Sequence, residues 1–587
     1  MKIACYILIS FLVSSSTWCQ QFYLRGEVKD ESGNPLQNVT ILHVRTGYVY
    51  KSGSVGTFGI NIDHRIDTFN FSMDGYWPEK IVANADNYLS VHLKLAPANR
   101  TTTRSNKLLS FTKGIAREEQ KKWFAGDETY ARIIENQFIQ ARSYPSTNVS
   151  LNIDRASYSN IRRFLVQGSM VPPDAVRIEE MLNYFNLNYI EPKGKEPFGI
   201  KTKLTSCPWN SNNRLFFVDL SAKKLSLESL PPSHLVFLID VSGSMDMANR
   251  LPLLKSAFRL LVNNLRARDS VAIVVYGGIT GTMLGTTSGA EKEKILTAID
   301  ELTPGGTTPG ESGINLAYNM ARRHFIPGGN NRVILATDGD FNVGLKTEDE
   351  LDELISRNRE SGIYLTCLGV GMGNYKDSKI QTLARKGNGN FSYLDNFNEA
   401  QKVLLKEFTQ TLYAVADDAY MNVEFNPNYV KSYRLLGFDN KVGALKDSMA
   451  IVEGGEIGSG YSMMGIFEIE SAIPGDTIMI ERYAQIKLHY RLPNDTTHRV
   501  FTHRCIFDFE DFPDIEKSYR FASAVAMFGS LLRSSSFVKE IDWNTILQLA
   551  NESADPADLL QKEFITLVEQ ARVLYSKGKK KKKRHEE

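Results

Sequence analysis

The segment VFLIDVSGSMDMANR, residues 236–250, drives four apolar residues into an aspartate and then sets serines at alternate positions: Asp240, Ser242, Ser244. Alternate residues of an extended segment point the same way, so three hard oxygen donors converge on one point. A second apolar run, RVILATDG, ends in Asp338; between the two, the loop PGGTTPG offers Thr307 and Thr308 ahead of ESGINLAYNMARRHF. Hydroxyls and carboxylates without thiol or imidazole suit a hard divalent cation. Two serines, a threonine and two carboxylates, acting partly through water, would leave one position of a six-oxygen shell open.

The surrounding pattern explains how these residues could meet. Between residues 233 and 412, LVFLID, SVAIVVYGG, RVILATDG and IYLTCLGVG are near-continuous apolar runs, as strands covered on both faces require. Helical patterns separate them. In LPLLKSAFRLLVNNL, Pro252 suits a first turn and Leu254, Phe258, Leu261 and Leu265 line one face. Strands alternating with helices predict right-handed crossovers and a Rossmann-like, doubly wound α/β domain over residues 231–412. Ligands of such sheets lie beyond the carboxyl ends of the strands, where Asp240 and Asp338 fall.

The rest of the chain predicts a multidomain protein, α/β plus β. Residues 1–20 read as a secretory signal, with Lys2, the apolar IACYILISFLV and the polar SSSTWCQQ. Export to the periplasm or cell envelope follows; Cys19 as a lipoprotein anchor is the less favoured alternative, because Trp18 precedes it. Residues 21–97 alternate in short runs and predict a β-sandwich, and residues 98–145 a linker with a helical patch. Residues 146–230 form a separate domain whose clearest helix is PPDAVRIEEMLNYF, capped by Asp174. Residues 413–575 are β-rich to 515 and helical thereafter. In FASAVAMFGSLL, Phe521, Val525, Phe528 and Leu532 mark one buried face of a helix, too short to be a membrane span. Residues 576–587 make a basic tail, read as a disordered, solvated end that could touch anionic lipid at the envelope.

Composition excludes several classes. Of the 587 residues, 42% are apolar and 23% charged, ordinary for a folded protein. The net charge of +2 hides a tail of +5, which leaves the body at −3 with no nucleic-acid footprint. Beyond the signal, Cys207, Cys367 and Cys505 are far apart, against a disulfide framework or a zinc site. GVGMGN has Asn374 where the GxGxxG pattern needs its third glycine, and reads as a turn; GESG places Ser312 in a helix, not at a nucleophile elbow. His489, His498 and His503 read as surface or packing residues. Asp340 reads as a loop carboxylate rather than a ligand.

DVSGSM, the threonine loop and ATDGD resemble the metal-ion-dependent adhesion site of the von Willebrand factor A (VWA) domain. The resemblance implies Ser242, Ser244 and Thr308 as direct ligands, with Asp240 and Asp338 reaching the metal through water. Thr308 is preferred to Thr307 for its offset of six residues to Ile314. The implied ion is Mg²⁺, with Ca²⁺ or Mn²⁺ as alternatives. STNVSLNIDRASYSNIRRFLVQGSMVPPDAVRIEEMLNYF, NRVILATDGDFNVG, GMGNYKDSKIQTLARKGNGNFSYLD and VEFNPNYV are similar to bacterial YfbK-type A-domain proteins over residues 146–575. GEVKDESGNPLQNVTI, GTFGI, FSMDGY and SVHLKL resemble carboxypeptidase regulatory-like modules. Together these imply an exported, non-catalytic adhesion or scaffold protein that meets a partner's Asp or Glu carboxylate through the cation. The alternatives are a metal-dependent hydrolase using Asp340, and an architectural envelope protein with a structural metal.

Overall fold

The computed structural model describes residues 22–94 and 128–586, apart from 32, 47, 74–75, 152, 186, 188, 195, 227–229, 278–279, 307–309, 340–347, 373–376, 408–412, 439–453, 474–481, 494 and 539–540. The signal segment, Cys19, the first part of the expected linker, Thr307, Thr308 and Asp340 lie outside the described residues. The chain divides into two compact units, 1–107 and 108–587.

In the first unit, period-two alternation builds a β-sandwich, because one residue in two must face the facing sheet. Thr57–Ile62, Phe22–Asp30 and Leu89–Leu93 form one sheet; Val49–Lys51, Thr40–His43, Ile66–Ser72 and Glu79–Asn84 form the other. Leu24, Val28, Ile41, Ile60, Phe69, Phe71 and Val91 fill the space between them.

The second unit is built around a six-stranded sheet. Its strands are β1 (Ser233–Asp240), β2 (Ser270–Tyr276), β3 (Gly281–Ser288), β4 (Asn330–Thr337), β5 (Ile363–Gly369) and β6 (Phe391–Tyr393). They lie in the order β3-β2-β1-β4-β5-β6, parallel except for β3. Every residue of β1 and β4 is buried, as their apolar runs demand. One face packs on helices Leu251–Asn263 and Lys292–Asp300, with Phe237 stacked on Phe258 at 4.4 Å. The other face packs on Gly310–Arg323 and Asp377–Lys386 through Ile314, Tyr318, Ile380 and Leu383.

The segments before and after this domain share their sheets. Asn213–Ala222 pairs antiparallel with Phe198–Ser206 on one side and with Ser462–Ser471 on the other. Ser146–Ser150 likewise pairs with Ala414–Phe425. The two sheets enclose a common core containing Phe216, Val218, Met421, Phe467 and Ile486. Backbone hydrogen bonds thus close the flanks into one body, into which the α/β domain is inserted. The segments 146–230 and 413–575, expected as two domains, are thus joined by strand pairing, a long-range property that no local pattern carries.

Local corrections have similar causes. Residues 128–140, expected as linker, run extended against the body: Arg163 grips Glu128 at 2.7 Å, and Asn136 Nδ2 donates to the Leu435 and Gly437 carbonyls. The helix expected in PPDAVRIEEMLNYF is split into a turn at Pro173–Ala175 and a helix at Ile178–Leu182, and Asp174 instead accepts from Ile133 N–H. The helix Lys517–Arg533 buries nearly every side, because Ala522, Ser523, Ala526 and Ser530 let neighbours close in. The basic tail continues the helix Leu559–Glu586 rather than ending in coil; lysine and arginine are good helix formers, and cations suit a helix C-terminus. Among the described residues Cys207, Cys367 and Cys505 are free and buried. Among the described residues no helix is long and apolar enough to cross a membrane.

Buried ion pairs tie the inserted domain to the flanks. Arg162 reaches Asp395 and Glu399 of the domain and Glu563 of the last helix. Fully buried Arg332 on β4 donates to both Glu456 oxygens at 3.1 and 3.0 Å and to Thr366 Oγ1 at 2.8 Å. Removing one partner of such a pair strands the other charge. Arg332→Met is expected to cost about 3–5 kcal/mol in urea denaturation at pH 8. Burial pushes the Glu456 carboxyl up to about 7 from 4.5, against the opposing pull of Arg332. The folded state therefore keeps a proton that the unfolded chain releases, so this group's contribution is full below pH 4.5 and declines as pH rises towards 7. The variant should regain stability on acidification from pH 8 to 5 relative to wild type; a pH-independent deficit would contradict this.

Candidate metal centre

β1 ends in Asp240, 1% exposed, whose carboxylate would be costly to bury without partners. It has three. Ser242 N–H donates to Oδ1 at 2.8 Å, while Tyr276 OH and Thr337 Oγ1 donate to Oδ2 at 3.1 and 3.2 Å. Burial raises its pKa, the Ser242 N–H opposes the rise, and the nearby charge of Asp338 adds to it. Mutual repulsion between two inward carboxylates is a demand for positive charge.

Beyond Asp240 the chain turns outward. Ser242 is half-buried, Gly243 and Ser244 are exposed, and the two serine hydroxyls lie 3.1 Å apart. The loop before the threonines is fastened here: Gly305 N–H donates to the Val241 carbonyl at 2.7 Å, and Gly243 N–H to the Gly306 carbonyl at 3.2 Å. Asp338 follows β4, two residues beyond Ala336, which pairs with Ile239. Four of the five expected residues, Asp240, Ser242, Ser244 and Asp338, thus occupy one rim at the carboxyl end of the sheet. The fifth, Thr308, lies outside the described residues.

Sequence reasoning missed what holds the rim. Buried Arg250 donates from Nη1 to Asp338 Oδ2 at 2.8 Å and to the Ser244 carbonyl at 2.6 Å, and from Nη2 to the Met372 carbonyl at 2.9 Å. Arg250 closes the segment that carries the serines, yet nothing local says that it turns back beneath them. Tyr276 and Thr337 end apolar strands and read as packing; only the parallel register brings their hydroxyls to Asp240. Gly277, at φ +113°, packs its α-carbon against Ser242.

The donor set suits a hard divalent cation. The hydroxyl spacing of 3.1 Å is close to the edge of an oxygen octahedron around Mg²⁺, about 2.9 Å for bonds of about 2.05 Å. Among the described residues no group of three or more His, Cys, Asp or Glu side chains is placed to hold a metal ion.

Fold and rim together define a VWA-type domain, and the von Willebrand factor type A domain family matches residues 234–407. A von Willebrand factor family matches 125–216, and the family described as uncharacterized protein YfbK, C-terminal, matches 410–574. The chain is 38% identical to the uncharacterized protein YfbK of Escherichia coli K12 over 477 residues, 76% of this chain and 81% of that protein. It belongs to the YfbK family. Human inter-alpha-trypsin inhibitor heavy chain H2 is 25% identical over 205 residues, covering 33% of this chain and 21% of that protein. A von Willebrand factor type A structure from Catenulispora acidiphila superposes with a TM-score of 0.39 at 14% identity, covering 62% of this chain and 89% of that one.

A β-carbon on Gly277 would lie 2.3 Å from Ser242 N. Gly277→Ala is therefore expected to lower stability by at least about 1 kcal/mol in thermal denaturation. Gly281→Ala, which meets nothing within 4 Å, is the control and should be near neutral.

Proposed function

We propose that this chain is an exported, non-catalytic interaction protein of the cell envelope. Its VWA domain would hold a divalent cation, Mg²⁺ first and Ca²⁺ or Mn²⁺ as alternatives, at Asp240, Ser242, Ser244, Thr308 and Asp338. A partner protein's Asp or Glu carboxylate would complete the coordination, with no bond made or broken. The observation that carries this reading is the exposed pair of hydroxyls 3.1 Å apart above two buried carboxylates that repel one another. A hard cation bound there relieves the repulsion and faces solvent, where a partner can reach it. Export rests on the apolar stretch within residues 1–20. We assign residues 21–97 as a carboxypeptidase regulatory-like module, on the sequence blocks that resemble such modules.

Isothermal titration with Mg²⁺ tests the reading. Wild type should give saturable heat, and Ser244→Ala and Asp240→Ala should abolish it. Ser244 is exposed, so its variant keeps the fold even if Asp240→Ala loses stability. Adding chelator should lower the Tm of the Mg²⁺-loaded protein, since a ligand at 100 times its Kd stabilises by about 2.7 kcal/mol. No heat and no thermal shift would remove the cation from the account.

A further inference from the structure

The surroundings of the rim are asymmetric. On the β2 side lies a hydroxyl pair, with Thr280 Oγ1 2.7 Å from Ser312 Oγ. Elsewhere around it two methionines are exposed, on the segments that follow β1 and β5. Met247, three residues past Ser244, is 55% exposed, and Met372, just after β5, is 38% exposed. Both are bound to the same arginine: Arg250 N–H donates to the Met247 carbonyl and Arg250 Nη2 to the Met372 carbonyl, each at 2.9 Å. Gly371, at φ +79°, leaves only 2.5 Å between an added β-carbon and Arg250 Nε, so this loop is seated closely on the guanidinium. The flanking body reaches this loop: Gln167 Nε2 lies 3.3 Å from the Met372 sulfur, and Val166 and Met170, near Gln167 in the chain, are 66% and 43% exposed.

Two large apolar side chains, Met247 and Met372, thus stand exposed on loops fixed by the arginine that holds Asp338. Thioether side chains adapt to varied apolar shapes, which suits a contact surface. Charge decides what else the occupant carries. With the two carboxylates ionised, a divalent cation together with Arg250 gives the loaded site one net positive charge, and an anion complements it.

We propose that this face docks a protein segment in which an acidic side chain meets the cation while an apolar side chain within two residues of it lies on Met247 and Met372. The proposal rests on the cation reading above and adds the chemistry of the partner. The acidic group supplies the polar anchor, the thioethers supply desolvated area, and the Thr280–Ser312 side stays wet.

The test uses the full chain without its signal segment and an immobilised array of random twelve-residue peptides, each with a single Asp or Glu. The array is probed with Mg²⁺ and with chelator. Mg²⁺-dependent binders should be enriched in Leu, Ile, Met or Phe within two positions of the acid. A Met247→Ser, Met372→Ser double variant should bind them at least five-fold more weakly while its Mg²⁺ titration heat and Tm stay those of wild type. Binders without apolar enrichment, binding unchanged in the double variant, or normal Mg²⁺ heat with no Mg²⁺-dependent binders would each overturn the proposal. Absence of Mg²⁺ heat in wild type would instead sink the cation reading, and this proposal with it.

Discussion

The parallel pairing of β1 with β4, which sets Ile239 opposite Ala336, is the constraint on which the site depends. With that register Asp240 ends β1 one residue past Ile239 and Asp338 follows β4 two residues past Ala336, so two carboxylates come near each other at the carboxyl end of the sheet. Such proximity is unfavourable unless each group is served. The remaining features of the site answer that demand. Ser242 N–H, Tyr276 OH and Thr337 Oγ1 serve Asp240, and the Arg250 guanidinium serves Asp338. Gly277 exists where a side chain would push the Ser242 turn away. A one-residue slip between the strands would turn these side chains to the opposite faces and remove the site.

A second long-range pairing determines what the site stands next to. The inserted domain leaves the flanking body after Ala222 and returns at Ala414, and the antiparallel pairing of Asn213–Ala222 with Ser462–Ser471 closes that body around both connections. Arg162 and Arg177 of the flanks then bind Asp395 and Asp377 of the domain, and Arg332 of the domain binds Glu456 of the flanks. Buried ion pairs contribute little net stability against apolar replacements, but they penalise any other arrangement of the two parts. One consequence is local: the end of the helix Ala156–Val166 is held where Gln167 meets Met372. A partner at the rim would then contact the flanking body as well as the VWA domain.

How much of this was legible in the sequence follows from the range of each interaction. The buried strands and the helix Leu251–Asn263 announce themselves, because continuous apolar runs and 3.6-residue periodicity are local. Asp240, Ser242, Ser244 and Asp338 were legible for the same reason: oxygen donors at the exit of a buried strand are conspicuous. Arg250 was not, since a lone arginine before a helix reads as solvated surface, and only the tertiary structure shows it turned inward onto Asp338. The shared flanking sheets were hidden because strands separated by some 250 residues carry no mark of which partner they choose. The short helix at Ile178–Leu182 was overextended because hydrophobic spacing continues through Phe185 while the backbone does not.

On the proposed function, Arg250 would also bear on recognition of an anion. A buried cation beside the ligand set opposes metal binding; two unit charges about 4 Å apart interact by about 4 kcal/mol at an effective dielectric constant of 20. A site shaped only for cation affinity would do better with a neutral residue at this position. The guanidinium instead satisfies one oxygen of Asp338 and two main-chain carbonyls, so it fixes the loops and offsets one of the two carboxylate charges. Without it, a divalent ion and two carboxylates would sum to zero, and an approaching carboxylate would feel only local dipoles. With it, the loaded rim stays positive after both aspartates are counted. On the proposed function, some cation affinity would thereby be exchanged for attraction towards an acidic group arriving from solvent, the balance expected of a surface that reads a partner rather than one that stores a metal.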